Sequence, residues 1–266
     1  MSGSSLRKRL LEILAEKRAA LVVYLTHGDP TPEASVDLLV ALADAGADVI
    51  ELGVPFSDPS ADGLVIQEAM HRALLAGRGL EPALASVREF RGRGYDTPIV
   101  LFGYFNPIFV YGIERFAKAA AEAGVDAVLT VDLPIDELNE LYEPLKKEGV
   151  SVVPLLAPTS TDDRIARVAD FEPAFVYYVS MTGVTGSSFQ GASGGPERVA
   201  MIRQQTGAPV AVGFGIKTGA DAQSVAAYAD GVVVGSALVR RIAEAASAED
   251  ACKSVAELAR ELRDAM

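Results

Sequence analysis

The stretch Glu51-Leu52-Gly53-Val54-Pro55-Phe56-Ser57-Asp58-Pro59-Ser60-Ala61-Asp62-Gly63 sets three carboxylates between an apolar run and a helical pattern. Glu51 is the unusual one. It follows Ala47-Asp48-Val49-Ile50 in what reads as a buried strand, where an ionised carboxylate is costly to desolvate. Two arrangements accommodate such a residue. Either a Lys or Arg of a neighbouring strand pairs with it, or it points into a pocket that uses its proton. No Lys or Arg falls within any predicted strand, which favours the pocket. Burial without a partner raises a carboxyl pKa and suits the group to proton transfer near neutral pH. Asp62 is open to two readings, as the N-cap of the helix after Gly63 or as a second catalytic carboxylate. Asp58 sits between Ser57 and Pro59, in the manner of a turn residue.

The remaining inventory narrows the chemistry. The lysines, at 8, 17, 118, 146, 147, 217 and 253, all lie outside the predicted strands, which disfavours a Schiff-base aldolase. His27 and His71 are the only histidines, too few for a histidine-rich zinc site, and no metal is expected. His27, at the end of the first strand, reads as a loop residue near the mouth. Cys252 is the single cysteine, so no internal disulfide forms. Carboxylate acid/base chemistry on a phosphorylated small molecule is what remains.

The elements that must position these residues alternate along the chain. Near-continuous apolar runs predict strands over 20–26, 47–53, 98–104, 127–132, 151–157, 174–180, 209–213 and 231–235. Helical patterns predict helices over 33–45, 64–75, 81–91, 113–123, 136–147, 162–169, 196–206 and 220–228, followed by C-terminal helices. Thr31 before Pro32 and Thr161 before Asp162 read as helix-start signals. Strands alternating with helices imply a parallel sheet. Eight such units in 266 residues imply a closed α/β barrel, which typically takes ~250 residues, over an open flavodoxin- or Rossmann-like sheet. The expectation is a single (β/α)8 TIM barrel over residues 1–266 with an extra amphipathic N-terminal helix. Period-two alternation in the second strand turns Val49, Glu51 and Gly53 inward. Active sites of such barrels lie at the C-terminal strand ends, and Glu51 falls there.

A second site is spread over the last loops. Gly213-Phe214-Gly215-Ile216 follows the seventh strand and Gly235-Ser236 follows the eighth, where phosphate sites of this fold commonly lie. Gly183, Gly186 and the serines of the Gly/Ser-rich loop 181–195 suit a lid. The formal net charge of −12 disfavours nucleic acid and anionic membranes as partners. It also requires an anionic substrate to be held by local backbone N–H groups. Glu12 and Glu16 interrupt the apolar residues of the N-terminus, unlike a signal peptide, and no stretch approaches the ~20 apolar residues of a membrane span. The expected location is cytoplasmic.

The segment from Glu51 to Pro59, with Ala61-Asp62-Gly63 and Ile66-Gln67, closely resembles the signature of the tryptophan synthase alpha chain family. Thr26 to Pro30, Gly183-Val184-Thr185-Gly186 and the two late glycine loops are similar to that family's other loops, with agreeing spacing across essentially the whole chain. The resemblance implies retro-aldol cleavage of indole-3-glycerol phosphate to indole and glyceraldehyde 3-phosphate. It implies Glu51 as general acid/base and Asp62 as the carboxylate that holds the indole N–H. Phe102, Tyr104, Leu129 and Tyr177 match substrate-binding positions, and Gly186, Phe214, Gly215, Gly235 and Ser236 match the phosphate site. It implies a beta-chain partner in an alpha2-beta2 complex, met in part by Pro55 and Asp58. No cofactor is implied in this chain, pyridoxal phosphate belonging to the beta chain. Ser60 stands where the family usually has Leu, Leu64 where it has Pro, and His27 where it has a small residue. A stand-alone lyase and a mainly regulatory subunit are the competing readings, and intact Glu51 and Asp62 favour an active lyase.

Overall fold

A computed structural model describes residues 5–77, 79–179, 195–213 and 215–266. The first half of the chain runs α1 (Ser5–Ala15), β1 (Ala20–Thr26), α2 (Ala34–Asp44), β2 (Val49–Gly53), α3 (Leu64–Leu75), α4 (Leu80–Gly92), β3 (Ile99–Gly103), α5 (Phe105–Tyr111), α6 (Ile113–Ala123), β4 (Ala127–Thr130) and α7 (Asn139–Lys147). The second half runs β5 (Ser151–Val152), β6 (Leu155–Leu156), α8 (Asp162–Arg167), β7 (Val176–Val179), α9 (Gly195–Thr206), β8 (Val210–Gly213), α10 (Gly219–Ala226), β9 (Gly231–Val234), α11 (Ser236–Glu244) and α12 (Ala248–Ala265). All strand pairs are parallel, in the order β5-β4-β3-β2-β1-β9-β8-β7-β6.

The two ends of that order are pieces of one extended segment, and this closes the sheet. Val153 donates to the Val128 carbonyl at 2.9 Å on one side, while Tyr177 donates to the Pro154 carbonyl at 3.0 Å on the other. Proline has no N–H to give a ladder, so Pro154 splits the predicted fifth strand into β5 and β6. The eight expected staves thus form a closed (β/α)8 barrel.

Period two sorts the side chains into two cores. Ala20, Val22, Tyr24, Val49, Val100, Phe102, Ala127, Leu129, Val153, Phe175, Ala211 and Val233 fill the barrel interior, joined by Leu6, Leu10 and Ile13 of α1. The N-terminal helix therefore plugs the bottom of the barrel with the apolar face expected of it. Leu21, Val23, Ile50, Leu52, Val128, Val210 and Val232 pack outward against the helices.

Three aspartates brace the bottom in the same way, each just before a strand. Asp48 accepts the Leu21 N–H and a two-pronged bond from Arg18 at 2.8 and 3.0 Å. Asp126 accepts from Ile99 N and Arg91, both at 2.8 Å. Asp230 accepts from Val210 N at 2.9 Å and Arg203 at 2.8 Å. Each carboxylate ties a strand start to its neighbour, and an arginine neutralises it.

Local differences from the sequence expectation have local causes. Thr31 is not the cap of α2. A turn over Thr31–Ala34 intervenes (Ala34 N to Thr31 O, 3.2 Å), and the N-cap is Glu33, without a side-chain cap bond. Thr161 does cap α8, accepting from Arg164 N. That helix ends at Arg167, and residues 168–171 tighten into a 3-10 turn. Helix α5 was not expected, because its cap comes from far along the chain. Asp132, after β4, accepts the Phe105 N–H at 2.8 Å.

Candidate active site

Glu51 lies in β2 with its side chain in the barrel, in register with Tyr24 of β1 and Val100 of β3. It is 1% exposed, and its Oε1 has no hydrogen-bond partner among the described residues. No described Lys or Arg pairs with it, so the ion-pair reading falls. Burial raises its pKa from 4.5 to about 8, because the apolar interior penalises the charged form. At neutral pH the side chain is mainly a neutral acid.

Asp62 ends the loop after β2. It is not the cap of α3, whose N-cap is Gly63. Its carboxylate instead accepts a 2.7 Å hydrogen bond from the Tyr104 hydroxyl. That hydroxyl also accepts the Ala61 N–H at 3.0 Å, and the Tyr104 ring stacks on Phe56 at 4.9 Å. Burial pushes the Asp62 pKa up, and the bond from Tyr104 opposes the rise. Tyr104 was expected to bind substrate. Its hydroxyl holds the second carboxylate at the mouth. Asp58 is exposed and takes a 2.5 Å bond from the Ser57 hydroxyl, whereas Pro55 is buried beneath the loop.

Phe102 and Leu129 are buried inward residues of β3 and β4, and Tyr177 faces inward from β7. Tyr24, which the sequence reading passed over, completes this wall edge-on to Phe102 at 5.1 Å. The alternation of Ala20, Val22 and Tyr24 was the available signal. The two tyrosines need two glycines. A Cβ on Gly53 would lie 2.2 Å from the Tyr24 hydroxyl, and one on Gly213 would lie 2.3 Å from that of Tyr177. Gly213 thus makes room for a ring. Burial raises the pKa of both tyrosines well above the ordinary value, with further increments from Glu51 and Asp62. Both stay neutral, and the fields of both carboxylates reach both rings.

The late loops meet at the same end. Gly215 follows β8 with φ +73°, a left-handed conformation that favours glycine. Gly235 is the N-cap of α11 without a side-chain cap bond, and Ser236 is the first residue of that helix. The first N–H groups of a helix attract anions. Gly186, Phe214 and all of the expected lid over 181–195 except Gly195, which opens α9, lie outside the described residues. Lys217 is exposed. His27 is buried, with Nε2 2.9 Å from the Ser86 hydroxyl of α4, so it faces the helix layer. Among the described residues no group of three or more His, Cys, Asp or Glu suits a metal ion, and no helix is long and apolar enough to cross a membrane.

The family described as tryptophan synthase alpha chain matches residues 10–266. The chain belongs to that family. The tryptophan synthase alpha chain of Thioalkalivibrio sulfidiphilus (strain HL-EbGR7) is 48% identical over 264 residues, 99% of each chain. Among solved structures, tryptophan synthase subunit alpha of Legionella pneumophila str. Paris is similar at 39% identity and TM-score 0.89, over 99% of this chain and 98% of that one. A Mycobacterium tuberculosis tryptophan synthase structure is similar at 36% identity and TM-score 0.90, again over 99% and 98%. With the tryptophan synthase alpha chain family comes its activity. The protein is a lyase of tryptophan biosynthesis that cleaves indole-3-glycerol phosphate.

Proposed function

We propose that the whole chain, residues 1–266, works as one barrel domain in which Glu51 and Asp62 divide the cleavage of indole-3-glycerol phosphate between them. The observation that carries this reading is the buried Glu51 carboxyl, raised to about 8 and without an ion-pair partner among the described residues, beside a second carboxylate clamped by Tyr104. Neutral Glu51 gives its proton to the ring carbon bearing the glycerol chain, which leaves a cationic ring. Asp62 accepts a hydrogen bond from the ring N–H and stabilises that cation. The Glu51 carboxylate then takes the proton of the adjacent glycerol hydroxyl. A carbonyl forms, the carbon–carbon bond breaks, and its electron pair restores neutral indole. Glu51 ends protonated, ready for another turnover.

Phe102, Leu129, Tyr24 and Tyr177 flank the ring and glycerol chain. Gly215, Gly235 and Ser236 receive the phosphate at the N-terminus of α11, together with Gly186 and Phe214. The chain needs no cofactor of its own. Its partner is a pyridoxal-phosphate beta chain in an alpha2-beta2 complex, and it acts in the cytoplasm. Exposed apolar residues beside the mouth support a partner there. Leu64 is 66% exposed, Phe109 59% and Val110 77%, and Asp58 is exposed on the loop between Pro55 and Leu64.

Indole release from indole-3-glycerol phosphate, measured with and without a beta chain, tests the reading. Wild type turns over, and Asp62→Asn lowers kcat by about 10²–10³-fold, the scale of losing a preorganised electrostatic group, while the melting temperature stays close to wild type. Wild-type kcat in Asp62→Asn removes Asp62 from the mechanism.

A further inference from the structure

Asp62 rides on a turn that is itself largely in water. Ser60, Ala61 and Gly63 are exposed, and the Asp62 N–H closes the turn onto the Pro59 carbonyl at 3.1 Å. Such a turn has little buried surface to hold it still. Tyr104 restrains the carboxylate and takes the Ala61 N–H, but the carbonyls of the turn have a separate anchor. The Gln67 side-chain amide donates from Nε2 to the Asp62 carbonyl at 2.7 Å and toward the Pro59 carbonyl at 3.4 Å. One NH2 group therefore spans the first and last residues of the turn. Gln67 is half-buried in the first turns of α3, and its backbone N–H bonds to the Gly63 carbonyl at 3.0 Å. The helix beneath it is tied down as well. Arg72 of α3 grips the fully buried Asp29 carboxylate through two bonds of 2.7 and 3.0 Å. The connection runs from the β1 end through Asp29 and Arg72 to α3, then through Gln67 to the backbone of Asp62.

We propose that Gln67 is a positioning residue for Asp62, fixing the turn carbonyls from below while Tyr104 holds the carboxylate and the Ala61 N–H from the side. This rests on the role given to Asp62 above. The amide suits the task because both its protons are donors and the two atoms it faces are carbonyl oxygens. Methionine in its place keeps the length and loses the donors. Glutamate offers acceptors to acceptors. Neither change leaves a deeply buried group unpaired, because the turn is open to water.

The test is a double-mutant cycle on kcat for indole release by the full chain, using Gln67→Met, Asp62→Asn and the double variant. Gln67→Met lowers kcat by about tenfold or more, as small misplacements of catalytic groups do, with KM nearly unchanged. In the Asp62→Asn background the same change costs nothing further. Gln67→Glu runs through the same cycle with the same pattern, and it decides the matter if the methionine variant fails to fold. Wild-type kcat in Gln67→Met overturns the proposal. So does an equal loss in both backgrounds, which would mean that Gln67 acts on something other than Asp62. Failure of the Asp62 assignment shows separately, as wild-type kcat in Asp62→Asn alone.

Discussion

At the scale of single residues, Glu51, the acid of the proposed mechanism, also bears on stability. Its folded pKa of about 8 lies above the ordinary 4.5. Between those values the native state holds a proton that the unfolded chain has released, so stability falls as pH rises through this window. Glu51→Gln removes the titration. The variant is expected to gain stability over wild type on the order of a few kcal/mol at pH 8, with the gap closing toward pH 4.5. Urea unfolding at pH 5 and pH 8 measures it, and an unchanged gap contradicts the burial argument. The inward aim of Glu51 was legible in the sequence, because a strand's period of two and the absence of a strand Lys or Arg needed no coordinates. The place of Tyr104 was not legible. Its hydroxyl meets Asp62 across 42 residues, and nothing local to either residue announces that bond. Tyr24 was legible by the same alternation as Glu51, but it carries no charge and drew no notice.

At the scale of elements, the two ends of the barrel do different work. The C-terminal ends carry Glu51, Asp62 and the late glycine loops. The N-terminal ends carry Asp48, Asp126 and Asp230, each joining two strand starts and an arginine. In this fold that bottom face serves stability. Asp126→Ala leaves the Ile99 N–H without its carboxylate acceptor and Arg91 without its counter-charge, a loss of about 1–3 kcal/mol. Denaturant unfolding should show that loss while kcat stays at the wild-type value. A fall in kcat with unchanged stability contradicts the division of labour. The strands were predicted within a few residues because buried parallel strands are apolar runs. The errors fell where partners are distant or backbone chemistry interrupts. Asp132 caps α5 from another loop, Pro154 breaks the fifth stave, and a turn displaces Thr31 from the start of α2.

At the scale of the molecule, a chain of net charge −12 acts on a phosphorylated substrate, and the phosphate site proposed at the N-terminus of α11 would offer it helix N–H groups at one end of a closed barrel. Eight alternating units in 266 residues made the barrel legible, and closure through the segment around Pro154 completes it. The strand side chains divide between two cores, with α1 sealing the bottom. The chemistry proposed above falls at the other end, where burial raises the Glu51 carboxyl pKa to about 8. The dependence of kcat/KM on pH for indole release, with wild type and Glu51→Gln measured side by side, tests this most directly. The account predicts a wild-type alkaline limb near about pH 8, where Glu51 loses its proton, and a loss of about 10²–10⁴-fold in Glu51→Gln. A wild-type profile that stays flat well above pH 8, together with near-wild-type rates in Glu51→Gln, would contradict it.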